Sequence, residues 1–490
     1  MSEINAQRTA CHWIGGEWIT AGSTGESVNP ATGSVIGRYV EAGVAEAEQA
    51  IAAARTAFEQ TAWRHDRALR ARVLNNMALG FEQYHDELVA LLGLENGKVK
   101  RHAGFEVQIV PECLRFNAAL ALAESGRAAS IDGSHLSVLL REPVGVAGII
   151  APWNSPAALA IRSLAPALAA GVTAVVMLPR QTAQINHLLA KIIAETPELP
   201  AGVVNVIIGG HVAGGALVDS AQVPVISFTG STATGKTIAA AGAQNLKRTG
   251  LELGGKTPIV VFDDADIDTL IPKVVDALTV FSGQFCMTGS RLLLQEGVAD
   301  TVIAALVERL RQVKVGPAAD EGSEMGPLID KANVRRIDGL VEQALGEGAV
   351  SLLRGGGVTE GPLAAGAFYR PTLLEVSDNR AAIVQQEVFG PVLTVQRFSG
   401  EAQAAGLVND NPYGLAASVW SRDIDRPLRF ARALDCGTIW INDWATLYDQ
   451  FEEGGYKMSG LGRMRGLAVL DDFLEAKHIV MRPGLPETQG

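Results

Sequence analysis

"VGVAGIIAPWNSPAALAIRSLAPALAAGVTAVVML", Val144 to Leu178, sets two apolar runs of strand length around one alanine-rich stretch of helix length. The runs "VGVAGIIA" (144–151) and "TAVVML" (173–178) are continuously apolar, as in strands buried on both faces, and a helix between such strands implies a right-handed parallel crossover. Three more runs extend the pattern: "VVNVII" (203–208), "PVISF" (224–228) and "TPIVVF" (257–262). The stretch therefore predicts a doubly wound α/β sheet of nucleotide-binding type, with ligands at the carboxyl ends of its strands.

Outward from that sheet, a second α/β half is expected to begin near Lys256. It carries helix-like "ADTVIAALVERLRQV" (299–313) and strand-like "PVLTVQRF" (391–398) and "TIWIN" (438–442). Towards the N-terminus, apolar residues at 44, 47, 51, 54 and 58 mark one face of an amphipathic helix. The closing "EAKHIVMRPG" reads as an edge strand in need of a partner, another subunit being one candidate.

The 490 residues exceed one ordinary core, so two or three domains are expected. A formal charge of −12 without a Lys/Arg cluster argues against nucleic acid as a partner. The N-terminal "MSEINAQRTACHW" lacks the basic and apolar regions of a signal peptide, and no apolar run reaches the ~18–20 residues of a membrane span. Cys11, Cys113, Cys286 and Cys436 lie far apart, with no CxxC and no histidine at metal spacing, so neither a disulfide framework nor a metal site is expected. These features fit a reducing, cytoplasmic compartment.

Four short stretches concentrate the candidate chemistry: "IIAPWNSP" (149–156), "SFTGSTATG" (227–235), "LELGGK" (251–256) and "GQFCMTG" (283–289). The first three sit at strand ends, which puts Asn154, the Gly230/Ser231 turn and Glu252 where ligands bind. A glycine loop opening a helix suits a phosphate, although such turns are common without one. A lone cysteine is usually a buried hydrophobe, and that reading suits Cys11, Cys113 and Cys436. Cys286 is different, because Gly283, Gly289, Gln284, Thr288 and Ser290 suggest an accessible loop. A nucleophilic thiol needs a base, an oxyanion donor and an acceptor, and these stretches supply candidates for each.

With "NPATG" (29–33), "EVFGPVL" (387–393) and "GGYKMSGLGR" (454–463), the chain resembles the NAD(P)-dependent aldehyde dehydrogenase superfamily over nearly its whole length, in its hydrolytic, non-acylating branch. The resemblance implies a Rossmann-like cofactor domain at 1–122 and 144–255, and an α/β catalytic domain at 256–458. A small β oligomerisation arm at 123–143 with 459–490 would be shared in a homodimer or homotetramer. It also implies that Cys286 attacks an aldehyde to give a thiohemiacetal, that Asn154 holds the oxyanion, and that Glu252 activates water against the resulting thioester. Cofactor contacts would come from Ile150, Trp153, Leu178, Arg180, Gln181, Gly230, Ser231, Leu253, Glu387 and Phe389.

The chain departs from the family pattern at several places. Lys-Pro-x-Glu, usual at the adenosine ribose, is "LPRQ" (178–181) here, so Leu178 loses the hydroxyl contact and neutral Gln181 no longer repels a 2′-phosphate. Gln181 still bonds a hydroxyl, which favours NAD, while Arg180 leaves NADP open. Met464 replaces the glutamate of "GRE", a proposed outlet for protons, and "EEGG" with Glu452 and Glu453 replaces "PFGG". Arg162 matches an arginine of semialdehyde and hydroxybenzaldehyde-type members. It either faces an anionic substrate or pairs with Glu452 or Glu453. Phe285, Met287, Trp444 and Leu447, with Glu453, would complete the substrate contacts, so an aromatic aldehyde or a semialdehyde is expected. A CoA-acylating relative typically lacks the base glutamate, and a cysteine hydrolase needs a histidine near the thiol. A homologue that binds cofactor without turnover is the alternative that the Leu178 and Met464 departures favour.

Overall fold

The computed structural model describes residues 8–482. Residues 483 and 484, the end of the expected closing edge strand, lie outside the described residues.

Four of the five strands of the first parallel sheet form where the apolar runs require them; the run at 257–262 opens the second sheet instead, and the fifth strand is Arg248–Glu252. Strands β1 (Val146–Ile150), β2 (Thr173–Pro179), β3 (Val204–Gly209) and β4 (Val225–Thr229) are buried almost throughout, as continuous apolar runs demand. Helix α1 (Pro156–Ala170) joins β1 to β2; Pro156 opens it at the first turn, and Gly171, at φ 94°, closes it in the left-handed region. Helix α2 (Thr232–Gly242) leads from β4 to β5 (Arg248–Glu252). Of β5, "RTGLE", only Leu251 is strongly apolar, and the strand is held by backbone pairing to β4 and to Gly460–Leu461.

The spatial order β5-β4-β1-β2-β3 is extended by an antiparallel hairpin, His12–Ile14 with Glu17–Ile19, beside β3. The chain winds away from β1 in one direction to β2 and β3 and in the other to β4 and β5. The crevice at the carboxyl ends of β1 and β4 is thus the topological switch point.

A second sheet begins with β6 (Pro258–Val261), followed by α3 (Ile267–Thr279), β7 (Arg291–Gln295), β8 (Thr372–Glu375), β9 (Val392–Phe398), β10 (Ala416–Trp420) and β11 (Thr438–Ile441). Its order is β8-β9-β7-β6-β10-β11, all parallel, with Val350–Leu353 antiparallel on the β8 edge.

A further sheet is an arm of three antiparallel strands, Arg127–Ser130, Leu136–Pro143 and Leu474–Met481. The closing strand expected from the sequence finds its partner within its own chain, in register from Leu474 opposite Pro143 to Met481 opposite Leu136. The other edge of that strand is unpaired among the described residues, and Val480 and Met481 are about half exposed. No described helix is long and apolar enough to cross a membrane.

Candidate active site

The loop that carries Cys286 begins with two strained residues. After α3 the chain passes through Phe281 (φ 48°) and Ser282 (φ 59°) in the left-handed region, then Gly283 (φ 73°). Each non-glycine residue there costs about 1–3 kcal/mol, so the surroundings must enforce the turn. Ser282 Oγ donates to Gly326 O (2.9 Å), while Gln284 Nε2 donates to Phe281 O (3.0 Å) and Gln284 Oε1 accepts from Ile329 N (2.9 Å). A Cβ at Gly283 would lie 2.3 Å from the Gly390 carbonyl carbon, so only glycine fits.

The fixed loop then meets the end of β1. Asn154 Nδ2 donates to Gln284 O at 3.0 Å, which brings the side-chain amide beside the segment leading to the thiol. That bond uses one of the two amide hydrogens. The backbone N–H of Cys286 has no hydrogen-bond partner among the described residues. A second amide hydrogen and a free backbone N–H next to a thiol are the two donors an oxyanion requires.

Three carboxylates surround Cys286. Burial pushes its thiol up to about 12, with Glu453, Glu252 and Glu387 raising it further and Arg162 opposing them. Glu252 ends β5, nearly buried, with Oε1 lacking any partner. Burial raises its carboxyl to about 8, and Arg162 is the largest opposing charge. A carboxyl tuned this far upward suits a base working near neutral pH. Glu387, lifted to about 7 chiefly by burial, accepts from Gly255 N at 3.0 Å. At Gly255 a Cβ would stand 2.5 Å from Cys286 O, so this glycine lets the β5 loop close on the backbone of Cys286.

Arg162 takes one of the two roles the sequence left open. Its Nη1 donates to Glu453 Oε1 (2.9 Å) and its Nη2 to Thr229 Oγ1 (3.1 Å), and the side chain is buried. Its guanidinium is therefore engaged by an internal carboxylate, the second of those two alternatives. Glu452 instead turns away, accepting from the N–H groups of Leu467 and Ala468 (3.1 and 3.2 Å).

At the switch point, Ser231 stands exposed as the N-cap of α2, accepting from Thr234 N at 3.2 Å, with Gly230 before it. Trp153 and Phe389 meet edge to face, centroids 5.6 Å apart, with Phe389 at φ 53°. Arg180 and Gln181 are exposed beyond the end of β2, and Arg180 Nη1 donates to Glu41 Oε2 at 3.3 Å. Ile150 and Leu253 are buried with a small exposed fringe. Leu178 is a correction: it is 1% exposed and packs in the core, because β2 is covered on both faces up to its last residue.

On the thiol's other side, Phe285 stacks edge to face between Phe281 (5.7 Å) and Trp444 (6.0 Å), and Leu447 is partly exposed nearby. Met287 is a second correction. It is wholly buried in the second core, and its carbonyl accepts from Trp444 Nε1 at 2.9 Å, so it steers the indole and presents no wall.

Sequence reasoning missed the support behind Asn154. In "LENGK" (94–98), Glu95 accepts from Gln184 N and Ile185 N (3.0 and 2.9 Å), and Asn96 Nδ2 donates to Trp153 O (2.8 Å). Lys98 Nζ donates to Glu106 Oε2 and to Ser155 Oγ (3.1 Å) and lies 3.8 Å above the Phe281 ring. The signal available was a polar cluster around a turn glycine, Gly97, which is easily taken for a solvated loop. Lys256 was also passed over; it is buried, its Nζ has no partner, and burial lowers its ammonium to about 7.

Comparison with known proteins adds relatives to this geometry. The family model described as "Aldehyde dehydrogenase family" matches residues 18–479. The chain is 38% identical over 474 residues to a betaine aldehyde dehydrogenase of Bacillus subtilis, covering 95% of this chain and 96% of that one. A crystal structure of betaine aldehyde dehydrogenase from Staphylococcus aureus in complex with NAD+ superposes with a TM-score of 0.94 at 34% identity, covering 97% of this chain and 95% of that one. An NAD-dependent aldehyde dehydrogenase from Sinorhizobium meliloti gives 0.95 at 33% identity over 100% of this chain and 97% of that one.

Proposed function

Since the chain belongs to the aldehyde dehydrogenase family, we propose that it oxidises an uncharged, preferably aromatic aldehyde to the carboxylic acid with NAD as hydride acceptor. The observation that carries the reading is the Asn154 amide on the Gln284 carbonyl, two residues before Cys286, with the buried Glu252 carboxyl in the same electrostatic neighbourhood.

Cys286 as thiolate attacks the carbonyl carbon and forms a thiohemiacetal. Asn154 Nδ2 and the Cys286 N–H hold the oxyanion, in a setting where one such donor is worth about 10²–10³ in rate. Bound NAD supplies the hydride acceptor that lets the oxyanion collapse to a thioester. Glu252, ionised, takes a proton from water, which attacks the thioester carbon; the C–S bond breaks, the acid and the Cys286 thiolate result, and Glu252 gives its proton up to solvent.

The residues fit a dinucleotide. The exposed N-terminus of α2 with Ser231 suits the pyrophosphate, and Glu387 with the Trp153–Phe389 pair suits the nicotinamide riboside. NAD is favoured over NADP because Arg180 is already paired with Glu41, whose carboxylate would repel a 2′-phosphate. Ion pairing of Arg162 removes the cation a semialdehyde carboxylate would need, whereas Phe285 and Trp444 suit an aromatic ring.

The same reading divides the chain into a cofactor domain (1–122, 144–255), a catalytic domain (256–458) and an arm (123–143, 459–490). It pairs the arm's exposed edge with another copy in a homodimer or homotetramer, and places the protein in the cytoplasm. The test is NADH appearance with benzaldehydes, betaine aldehyde, succinic semialdehyde and aliphatic aldehydes. Turnover that Cys286→Ala abolishes, strongest with benzaldehydes, is expected. Strongest turnover with the semialdehyde or betaine aldehyde would overturn the substrate assignment, and no reduction of either cofactor would overturn the reaction.

A further inference from the structure

Glu252 has close neighbours that fix its surroundings. In the sheet it lies in register with Thr229 on β4 and with Gly460 on the other side. A Cβ at Gly460 would stand 3.7 Å from Glu252 Oε1, so that oxygen looks over a glycine and not over a polar side chain. Arg162 reaches the same level from α1, because its Nη2 donates to the hydroxyl of Thr229, the residue paired with Glu252.

The guanidinium is itself clamped. Glu453 accepts from Arg162 Nη1 through Oε1 (2.9 Å) and from Arg465 Nε through Oε2 (2.8 Å), and Arg465 also pairs with Asp449. The backbone of Glu453 is locked by two reciprocal bonds with Met464, both 2.7 Å. Arg162 Nε and Glu252 Oε1 remain without partners in this otherwise bonded cluster. Both side chains are more than nine-tenths buried.

We propose that the Arg162–Glu453 pair is the positioning and charge-control element for Glu252, deciding the pH at which Glu252 can accept a proton from water. The inference rests on the hydrolytic reading of Glu252. Arg162, on α1, favours the carboxylate, and Glu453, on the segment before the Gly460–Leu461 strand, disfavours it. Arg463, just after that strand, adds a second favourable charge, and Cys286 lies on the loop whose thiol the same carboxyl acts on. Arg465 and Asp449 act through Glu453. Because two opposite charges are held against one base, removing either moves the base in a direction set by the sign of what remains. A purely structural pair would give both deletions the same sign of effect.

The experiment uses the full chain with NAD and a benzaldehyde, recording the NADH burst and the steady-state rate from pH 5.5 to 10. Glu453→Gln is expected to move the rising limb of kcat to lower pH by about one unit, since Arg162 is then uncompensated. Arg162→Met is expected to move it to higher pH by at least as much, a loss of about tenfold in kcat at pH 7, and Arg162→Lys to return most of the way. Should Arg162→Met fail to fold, Thr229→Val, which removes only the hydroxyl anchoring Nη2, is expected to move the limb in the same direction by less. Limbs that stay in place, or that move the same way in Glu453→Gln and in the Arg162 or Thr229 variants, would overturn the inference. With a normal Cys286-dependent burst, that outcome leaves the reaction standing. No NADH from the parent enzyme would overturn the reaction and the inference with it.

Discussion

Lys98→Met tests whether the oxyanion loop is held from behind by a buried ion pair. The side chains of Lys98 and Glu106 are each 1% exposed. Glu106 Oε1 also accepts from Ala157 N (3.0 Å) and Ala158 N (3.3 Å), three and four residues past Asn154, so the carboxylate sits at the N-terminus of α1. Removing one partner of a buried pair costs about 3–5 kcal/mol, because the other charge is left uncompensated. Here two N–H groups and the helix N-terminus still face Glu106, an arrangement worth up to ~2 kcal/mol, so the lower end, about 3 kcal/mol, is expected.

A chain with two large sheets need not unfold in one step, so the assay should be local. Native-state hydrogen exchange at the first amides of α1 reports the opening directly, and about 3 kcal/mol corresponds to exchange roughly a hundredfold faster. The double variant Lys98→Met/Glu106→Leu removes both charges. It should recover much of the protection, since apolar replacement of a buried pair is often neutral. Unchanged exchange in Lys98→Met, or a double variant as labile as the single one, would refute the reasoning.

Asn154→Ala should lower kcat by about 10²–10³ while leaving NAD affinity within a factor of two, as measured by turnover and by fluorescence titration. Glu252→Gln should make stability less dependent on pH. The native carboxyl at about 8 against an ordinary 4.5 means that the folded state holds a proton the unfolded state has lost. Parent stability therefore falls as pH rises from about 4.5 to about 8, and the variant's advantage in thermal scans should be largest above pH 8 and vanish below pH 4.5. Gly255→Ala would bring a methyl within 2.5 Å of Cys286 O and 3.0 Å of Leu415 Cδ2. It should slow both acylation and iodoacetamide labelling of Cys286, with no change in the far-ultraviolet spectrum.

What the sequence made legible depended on which physical signal each feature leaves in one dimension. β1 to β4 announce themselves because burial on both faces demands unbroken apolar runs, whereas the switch point rests on the spatial order β5-β4-β1-β2-β3, which only the fold supplies. Asn154 and Cys286 were legible because each follows such a run or a glycine turn, and Glu252 because of the "ELGG" motif around it. β5 left almost no trace, since an interior strand near the sheet edge can be held by backbone pairing with one apolar side chain. Leu178 and Met287 went wrong for a common reason: adjacency in a motif does not tell how deeply a side chain is covered, and the cover on both faces of β2 and the turn after Cys286 put both in the core.

The buried charges were the least legible of all. Lys98 and Glu106 read in one dimension as ordinary surface residues, and for Arg162 the sequence offered Glu452, Glu453 or an anionic substrate without choosing, because a charge's partner lies 8 residues away in one case and 291 in the other. Only the fold sets them against each other. Burial of an ion without a partner would cost more than most domains have in stability, so every such residue in the interior has a partner or an altered protonation state. That rule makes the interior charges the place where this chain's chemistry departs from the pattern of its family's motifs, and the Arg162–Glu453 pair beside Glu252 is where the departure reaches the reacting groups.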